Sequence, residues 1–417
     1  VLHRRRPLDE QLQDEGEYFA GLSERDRALV RALTATVLRR LGTLRHVLAH
    51  CLQKGFPTRA PAAEIALLLG AAQILWLDIP DHAAVDLSVR LVQSDRTASR
   101  YSALVNAVLR RLARERAALL KDVDPATVDT PDWLMARWIK NFGAEIARSI
   151  ALANSREADL DLTVKSDPQG WAEKIGGYVL PTGTVRAPVH GRISELPGYA
   201  EGAWWVQDAA AAMPARFFGD VRGKRIADLC AAPGGKTAQL AAAGADVFAV
   251  DRAPARLERL RKNLARLQLP AEIVCNDVME WEAGPFDAVL LDAPCSSTGT
   301  IRRHPDIPWL KRPSDIDALA AVQLQMIRRA AQLVRPGGLL VYCVCSLEPE
   351  EGANVVRSAL AENASLRRVP LGTRELNMPL EWLTTDADLR TLPCQWADPE
   401  AGIAGLDGFF AARLQRI

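Results

Sequence analysis

From residue 224 to residue 344 the chain repeats one pattern: a short apolar run, a polar or small residue, then a helix-forming stretch. The runs are 224–229, 245–250, 271–275, 286–291 and 338–344, with helical segments at 236–243 and 254–267. Strands buried on both faces read as continuous apolar runs, and helices between them serve as crossovers that make the sheet parallel. The pattern predicts a doubly wound, Rossmann-like α/β unit. Ligands of such sheets bind beyond the carboxyl ends of the strands, so the residues that close each run are where chemistry is to be sought.

Before residue 130 there is little strand signal. Residues 25–48 place Leu29, Leu33, Val37, Leu41, Leu44 and Leu48 at helical spacing, which predicts one long helix. Further helices are expected at 61–77, 85–93 and 102–116, the last ending in a cluster of Arg110, Arg111, Arg114 and Arg116. That cluster suits a solvated face and RNA contact equally. Residues 121–131 have the Asp, Pro and Thr content of a linker. A helix is expected at 133–153, and alternation from Asp159 to about Trp205 predicts short strands. The organisation expected is multidomain: an all-α domain over 1–125, a small α+β linking module over 126–205 and the α/β unit over 206–417.

At 417 residues the chain exceeds one ordinary core, and 48% hydrophobic with 25% charged residues is a globular composition. The formal net charge of +1 argues neither for nor against nucleic acid, so local patches must decide. No uninterrupted apolar run reaches the roughly 18 residues of a membrane span. The basic start is followed by Asp9, Asp14 and Glu15 rather than an apolar stretch, which does not suit a secretory signal. A chain opening on Val1 is expected to lack some leading residues. Seven cysteines without a C-x-x-C pair, and six histidines without zinc-type spacing, predict neither a disulfide framework nor a metal site. A cytoplasmic monomer is expected.

The strongest local signal is Asp228-Leu-Cys230-Ala231-Ala232-Pro233-Gly234-Gly235-Lys236-Thr237, a strand running into a glycine turn that opens a helix. Such a turn offers backbone groups to part of a nucleotide-like ligand. Asp251 closes the second run, where a ribose acceptor belongs, and Asp277 closes the third. A phosphate loop is excluded, because Cys230 stands where its first glycine must be, and the nicotinamide fingerprint is absent. S-adenosylmethionine, with a ribose and an adenine but no phosphate, suits these residues.

Asp292-Ala-Pro-Cys295-Ser-Ser-Thr-Gly299 follows the fourth run, and Tyr342-Cys343-Val344-Cys345-Ser346 closes the fifth. A carboxylate and two thiols at neighbouring strand ends suit methylation of cytosine at C5. A thiolate added at C6 makes C5 nucleophilic, a protonated Asp292 answers the charge at N3, and Cys295 is a candidate for assisting release. Cys343 alternates with Cys345, so only one is expected to face the ligand; Cys345, nearest the strand end, is the choice. Cys51 and Cys394 are expected to be small buried hydrophobes, and Cys275 and Cys230 fit the same description.

These segments resemble motifs of the RNA cytosine-C5 methyltransferases, the NOL1/NOP2/Sun group. Val206-Gln207-Asp208 and Leu406-Asp407-Gly408-Phe409-Phe410 resemble the group too, so the similarity covers about residues 200–417. It implies Cys345 as nucleophile and Cys295 as release cysteine. It also implies that Cys230 to Lys236, Asp251, Asp277 and Asp292 line the cofactor side. Val344 stands where Thr is common, and Ser297 where Gly or Ala is. Residues 64–77, 79–80, 85–91 and 101–112 resemble the helical RNA-binding fold of the NusB antitermination factor. The combination is similar to the bacterial members that methylate 16S ribosomal RNA. In that light Arg302, Arg303, His304, Lys311 and Arg312 are expected to form a basic loop for RNA phosphates beside the pocket. Trp309 is either a base-stacking or a core residue. The alternatives are a transfer-RNA methyltransferase with the same catalytic half and a non-catalytic RNA-binding protein.

Overall fold

Where helices end decides how the amino-terminal residues pack, and in the first of them the end is imposed from a distance. The computed structural model describes residues 1–417 except 4, 14–20, 58, 189–191 and 399–402. Asp14 and Glu15 thus lie outside the described residues. The helix expected over 25–48 is two, Glu24–Arg39 and Leu41–Cys51. The first starts at Ser23, whose hydroxyl accepts from the Asp26 amide. The second is capped by Asp129, which accepts from the Thr43 amide at 2.7 Å and its hydroxyl at 2.9 Å. The break at Arg40 therefore depends on a carboxylate far along the chain. The helix expected over 133–153 likewise divides into Asp132–Phe142 and Ala144–Asn154, at Gly143 with φ of +85°.

Two compact units result: residues 1–156 with 301–310, and residues 157–300 with 311–417. In the first, the Pro61–Trp76 helix is the central element, burying Ala63, Ala66, Leu67, Leu68, Ala71 and Ala72 among the surrounding helices. The helices at 132–154 belong to this unit, although they were expected to join the strands that follow. Residues 301–310 are anchored here by Leu8, whose amide donates to Asp306 at 2.8 Å, and by Arg39, which donates to the Arg302 carbonyl at 3.0 Å.

The second unit begins with a small antiparallel sheet of Tyr178–Val179, Val185–Ala187, Leu160–Val164 and Trp204–Val206, in that order. The main sheet holds β1 (Arg225–Leu229), β2 (Asp246–Asp251), β3 (Glu272–Cys275), β4 (Phe286–Asp292), β5 (Val334–Val344), β6 (Leu366–Arg368), β7 (Leu389–Thr391) and β8 (Phe409–Arg416). Their order is β6-β8-β5-β4-β1-β2-β3, with β7 also on β8. β1 to β5 are parallel, as the apolar runs predict. β8 was not foreseen; it runs antiparallel to β5 from Phe410 opposite Val344. The strand order reverses beside β1 and β4, the switch point at which open sheets bind ligands.

Candidate active site

At the switch point, β1 leads into the turn before the Gly235–Ala242 helix. Cys230 takes φ +62° and Gly234 φ +102°. The left-handed conformation costs a residue with a side chain roughly 1–2 kcal/mol, and Cys230 bears it at the turn. Asp251 at the end of β2 buttresses this turn: it accepts from the Ala232 amide at 3.3 Å and the Ala253 amide at 3.0 Å, and pairs with Arg256 at 3.3 Å. Asp277 is half-buried after β3, accepts from the Met279 amide at 2.9 Å and faces Arg252 at 3.9 Å.

Beneath the turn Asp228 is fully buried, and Thr237 donates to its Oδ2 at 2.6 Å while Oδ1 has no hydrogen-bond partner. Burial pushes this carboxyl up to about 7 from 3.8, against the Thr237 hydrogen bond. The folded state thus holds the proton more tightly than the unfolded chain. The associated stability is complete below the unfolded value of 3.8 and lost as pH rises through about 7. Asp228→Asn is expected to remove that slope. Urea melts of parent and variant should diverge across this interval by something on the order of 4 kcal/mol; parallel pH profiles would contradict it.

Lys236 links the turn to β4, its ammonium donating to Asp292 Oδ2 at 2.8 Å. Burial works against this charge, but the Asp292 carboxylate outweighs it and leaves the lysine above its ordinary value. Cys343 donates to Asp292 Oδ1 at 3.4 Å, consistent with the register that places Asp292 opposite Cys343. Asp292 therefore accepts from both an ammonium and a thiol, with a third of its side chain exposed.

The two cysteines meet. Cys295 Sγ lies 3.5 Å from Cys345 Sγ, and the Ser297 hydroxyl is 3.5 Å from Cys345 and 3.8 Å from Cys295. The hydrogen bond from Cys295 holds the Cys345 thiol below its ordinary value, opposed by burial and helped by Ser297. Cys295 is raised well above its own, first by that same bond and then by burial. Of the pair, Cys345 is the one poised to be a thiolate. The expectation that alternation separates Cys343 from Cys345 needs correcting. Residues two apart on a strand share a face, and both thiols lie against the same hydrophobic cluster. Depth separates them: Cys343 is inside β5 and fully buried, whereas Cys345 is one residue beyond its end and half-buried.

Ser297 was noticed in the sequence only as a departure, yet at φ +61° it is the hydroxyl that touches both sulfurs. Val344 points the other way, into the opposite hydrophobic cluster, so its lack of a hydroxyl is not felt at the thiols. Gly299 and Gly408 bring the loop after β4 against β8: the Gly408 amide donates to the Gly299 carbonyl at 2.8 Å. A Cβ at 299 would stand 1.9 Å from the Gly408 carbonyl oxygen. Gly299→Ala is therefore expected to destabilise the unit by roughly 3 kcal/mol or more, read as a lowered melting temperature. An unchanged melt would refute the close approach.

Other expected residues fall elsewhere. Arg302 is fully buried, which removes it as a phosphate contact. Arg303 is half-buried, and His304 is exposed with Nδ1 3.2 Å from Asp9. These three belong to the first unit, Lys311 and Arg312 to the second. Trp309 packs on the helical core and donates to the Leu38 carbonyl at 2.8 Å, so it is a core residue. Cys275 is exposed, Cys51 buried and Cys394 half-buried. No group of three or more potential metal ligands, and no helix long and apolar enough to cross a membrane, occurs among the described residues.

A Rossmann-like sheet with a glycine turn, strand-end carboxylates and no phosphate loop defines a methyltransferase. The family described as 16S rRNA methyltransferase RsmB/F matches residues 219–415, and the NusB family matches residues 2–114. Two relatives named ribosomal RNA small subunit methyltransferase B are each 36% identical. That of Vibrio cholerae aligns over 83% of this chain and 83% of its own length, that of Pseudomonas putida over 95% and 92%. The solved structure of PH0851 has the same fold, with a TM-score of 0.75, 21% identity, and coverage of 96% of this chain and 92% of that one. The chain belongs to the RsmB/F methyltransferase family and carries a NusB-family domain at its amino-terminal side.

Proposed function

We propose that this protein transfers a methyl group from S-adenosylmethionine to C5 of a cytosine in 16S ribosomal RNA, acting as a cytoplasmic monomer. The single observation carrying the chemistry is the pair of thiols 3.5 Å apart beside the Lys236–Asp292 ion pair. Family membership and the names of the relatives support the RNA class.

Cys345 attacks C6 as the thiolate, forming a carbon–sulfur bond and moving a ring electron pair toward C5 and N3. Asp292, carrying a proton in the substrate complex, passes it to N3 as charge develops there, and the Lys236 ammonium beside it stabilises the carboxylate that results. S-adenosylmethionine, when bound, supplies an electrophilic methyl group. Cys295, once its own proton has passed to solvent, takes the C5 proton; Cys345 leaves C6 as thiolate, and N3 returns its proton to Asp292, which restores the ring. The residues from Cys230 to Lys236, with Asp251 and Asp277, would hold the cofactor. They fit a ligand bearing ribose and amine groups: Asp228 keeps one buried carboxylate oxygen unpartnered, and the turn's lysine is already engaged by Asp292.

In this reading the amino-terminal helical unit and the small antiparallel sheet that follows it supply much of the RNA grip, with Arg303, His304, Lys311 and Arg312 as phosphate contacts. The target cytosine must leave its stack, because C6 and N3 are not both reachable within a paired stem. Bisulfite maps of ribosomal and transfer RNA from a deletion strain, with and without complementation, test the proposal. A lost and restored mark in 16S ribosomal RNA is expected. A mark lost from transfer RNA alone would overturn the substrate, and cofactor binding with no methylation of any RNA would overturn the enzyme.

A further inference from the structure

One fully buried carboxylate lies between the two loops that carry the thiols, and the chemistry described above does not use it. Glu351 Oε1 accepts from the Ser296 amide at 2.8 Å and from Gln323 Nε2 at 3.1 Å. Its Oε2 accepts from the Ser346 hydroxyl at 2.5 Å and from the Ser296 hydroxyl. Ser296 follows Cys295, and Ser346 follows Cys345. The Glu351 carbonyl also accepts from the Tyr342 hydroxyl at 2.5 Å, tying the same residue to β5. An ionised carboxylate has about four lone-pair sites, and all are used here. No neutral side chain of this size accepts four hydrogen bonds at once. Arg390 lies near enough to interact with the Glu351 charge and itself donates to the Ser346 carbonyl at 2.5 Å, so the anion is compensated within the same network.

We infer that Glu351 is a positioning residue: its carboxylate sets the separation of Cys295 and Cys345 by clamping the serine that follows each. Resting on the thiol chemistry proposed above, this assigns the clamp to strand-end loops rather than to the cofactor turn. Glu351 makes no hydrogen bond to Asp228, Lys236, Asp251 or Asp277 among those described, so cofactor affinity is expected to be insulated from it.

The test compares Glu351→Ala and Glu351→Gln with the parent as full-length protein. Glutamine keeps the shape and can meet two serine hydroxyls as donor, so it is the conservative variant. For Glu351→Ala, kcat for RNA methylation is expected to fall about 100-fold, as for a misplacement of reacting groups by about 1 Å. Dissociation constants for S-adenosylmethionine should change less than about threefold, a few tenths of the roughly 1.4 kcal/mol that separates tenfold affinities. Glu351→Gln should recover part of the rate. Independently of RNA, iodoacetamide labelling of Cys345, read from its peptide by mass spectrometry, should shift to higher pH as Cys295 and Ser297 drift from its sulfur. An unchanged labelling profile in a folded variant overturns the clamp, as does equal loss of cofactor affinity and rate. Failure of both variants to fold would assign Glu351 to stability alone and also overturn it. If the parent methylates no RNA, the proposed function fails while the labelling profile still decides for or against Glu351.

Discussion

Cys345→Ala is expected to lower methyl transfer by about 10⁴-fold or more, the scale of losing a nucleophile that acts with its neighbours as a unit. The variant should still bind S-adenosylmethionine, since the glycine turn and its buttress at Asp251 make no described hydrogen bond to residue 345. Cys345 lies one residue past β5, half-buried, and its hydrogen bonds with Cys295 and Ser297 hold its thiol below the ordinary value. Cys343 is fully buried and engaged with Asp292, and burial pushes its thiol well above the ordinary value. It therefore cannot substitute. RNA containing 5-fluorocytidine supplies the measurement, because fluorine does not leave C5 as a proton does and the adduct persists. The parent should give a cross-linked Cys345 peptide, and Cys345→Ala none. A cross-link at Cys295 or Cys343, or an active alanine variant, would refute the assignment. The depressed thiol also sets a sign for pH: the acid limb of the single-turnover rate should fall below the pH at which an ordinary thiol, near 9, would titrate.

What was legible in the sequence was whatever is written locally or by register. β1 to β4 appear within a residue of the apolar runs, because buried parallel strands are continuous and their ends are polar. Asp292 and the cysteines were legible because each lies at or just past a strand end, and adjacent parallel strands bring such ends together without further information. Tertiary capping was not legible. Nothing near Arg40 announces that Asp129 will accept from Thr43 and start a new helix. The same applies to Ser297 and Glu351, whose partners come from loops 48 and 55 residues away in sequence. At Arg302 the basic stretch after Gly299 misled for the opposite reason. Charge density alone suggested an RNA-facing loop, while the structure buries Arg302 and docks Trp309 on a helical core. A run of basic residues states composition, and only burial states which of them meet solvent.

Cys295→Ala carries the other large expected effect, and it differs in kind from loss of the nucleophile. While Cys345 is free, Cys295 donates to it and its own thiol is held well above the ordinary value. Once Cys345 is bonded to C6, its sulfur is a neutral thioether. The first cause of that elevation then disappears, and Cys295 becomes easier to ionise at the moment a base is needed. Removing the C5 proton and expelling Cys345 are therefore coupled to the state of the neighbouring sulfur. Without Cys295, addition and methylation proceed, more slowly because Cys345 loses the hydrogen bond that lowers its thiol, but elimination stalls, so the enzyme should stop after one turnover and retain methylated RNA on Cys345. Multiple-turnover rates are expected to fall about 10³-fold, in the middle of the range for loss of a positioned acid–base group. A burst approaching one methyl per enzyme should persist. Denaturing gels of Cys295→Ala after incubation with unmodified RNA and cofactor should show a shifted, covalent species that Cys295→Ala combined with Cys345→Ala lacks. Normal steady-state turnover, or a burst missing altogether, would remove Cys295 from the release step and leave it a structural neighbour of the nucleophile.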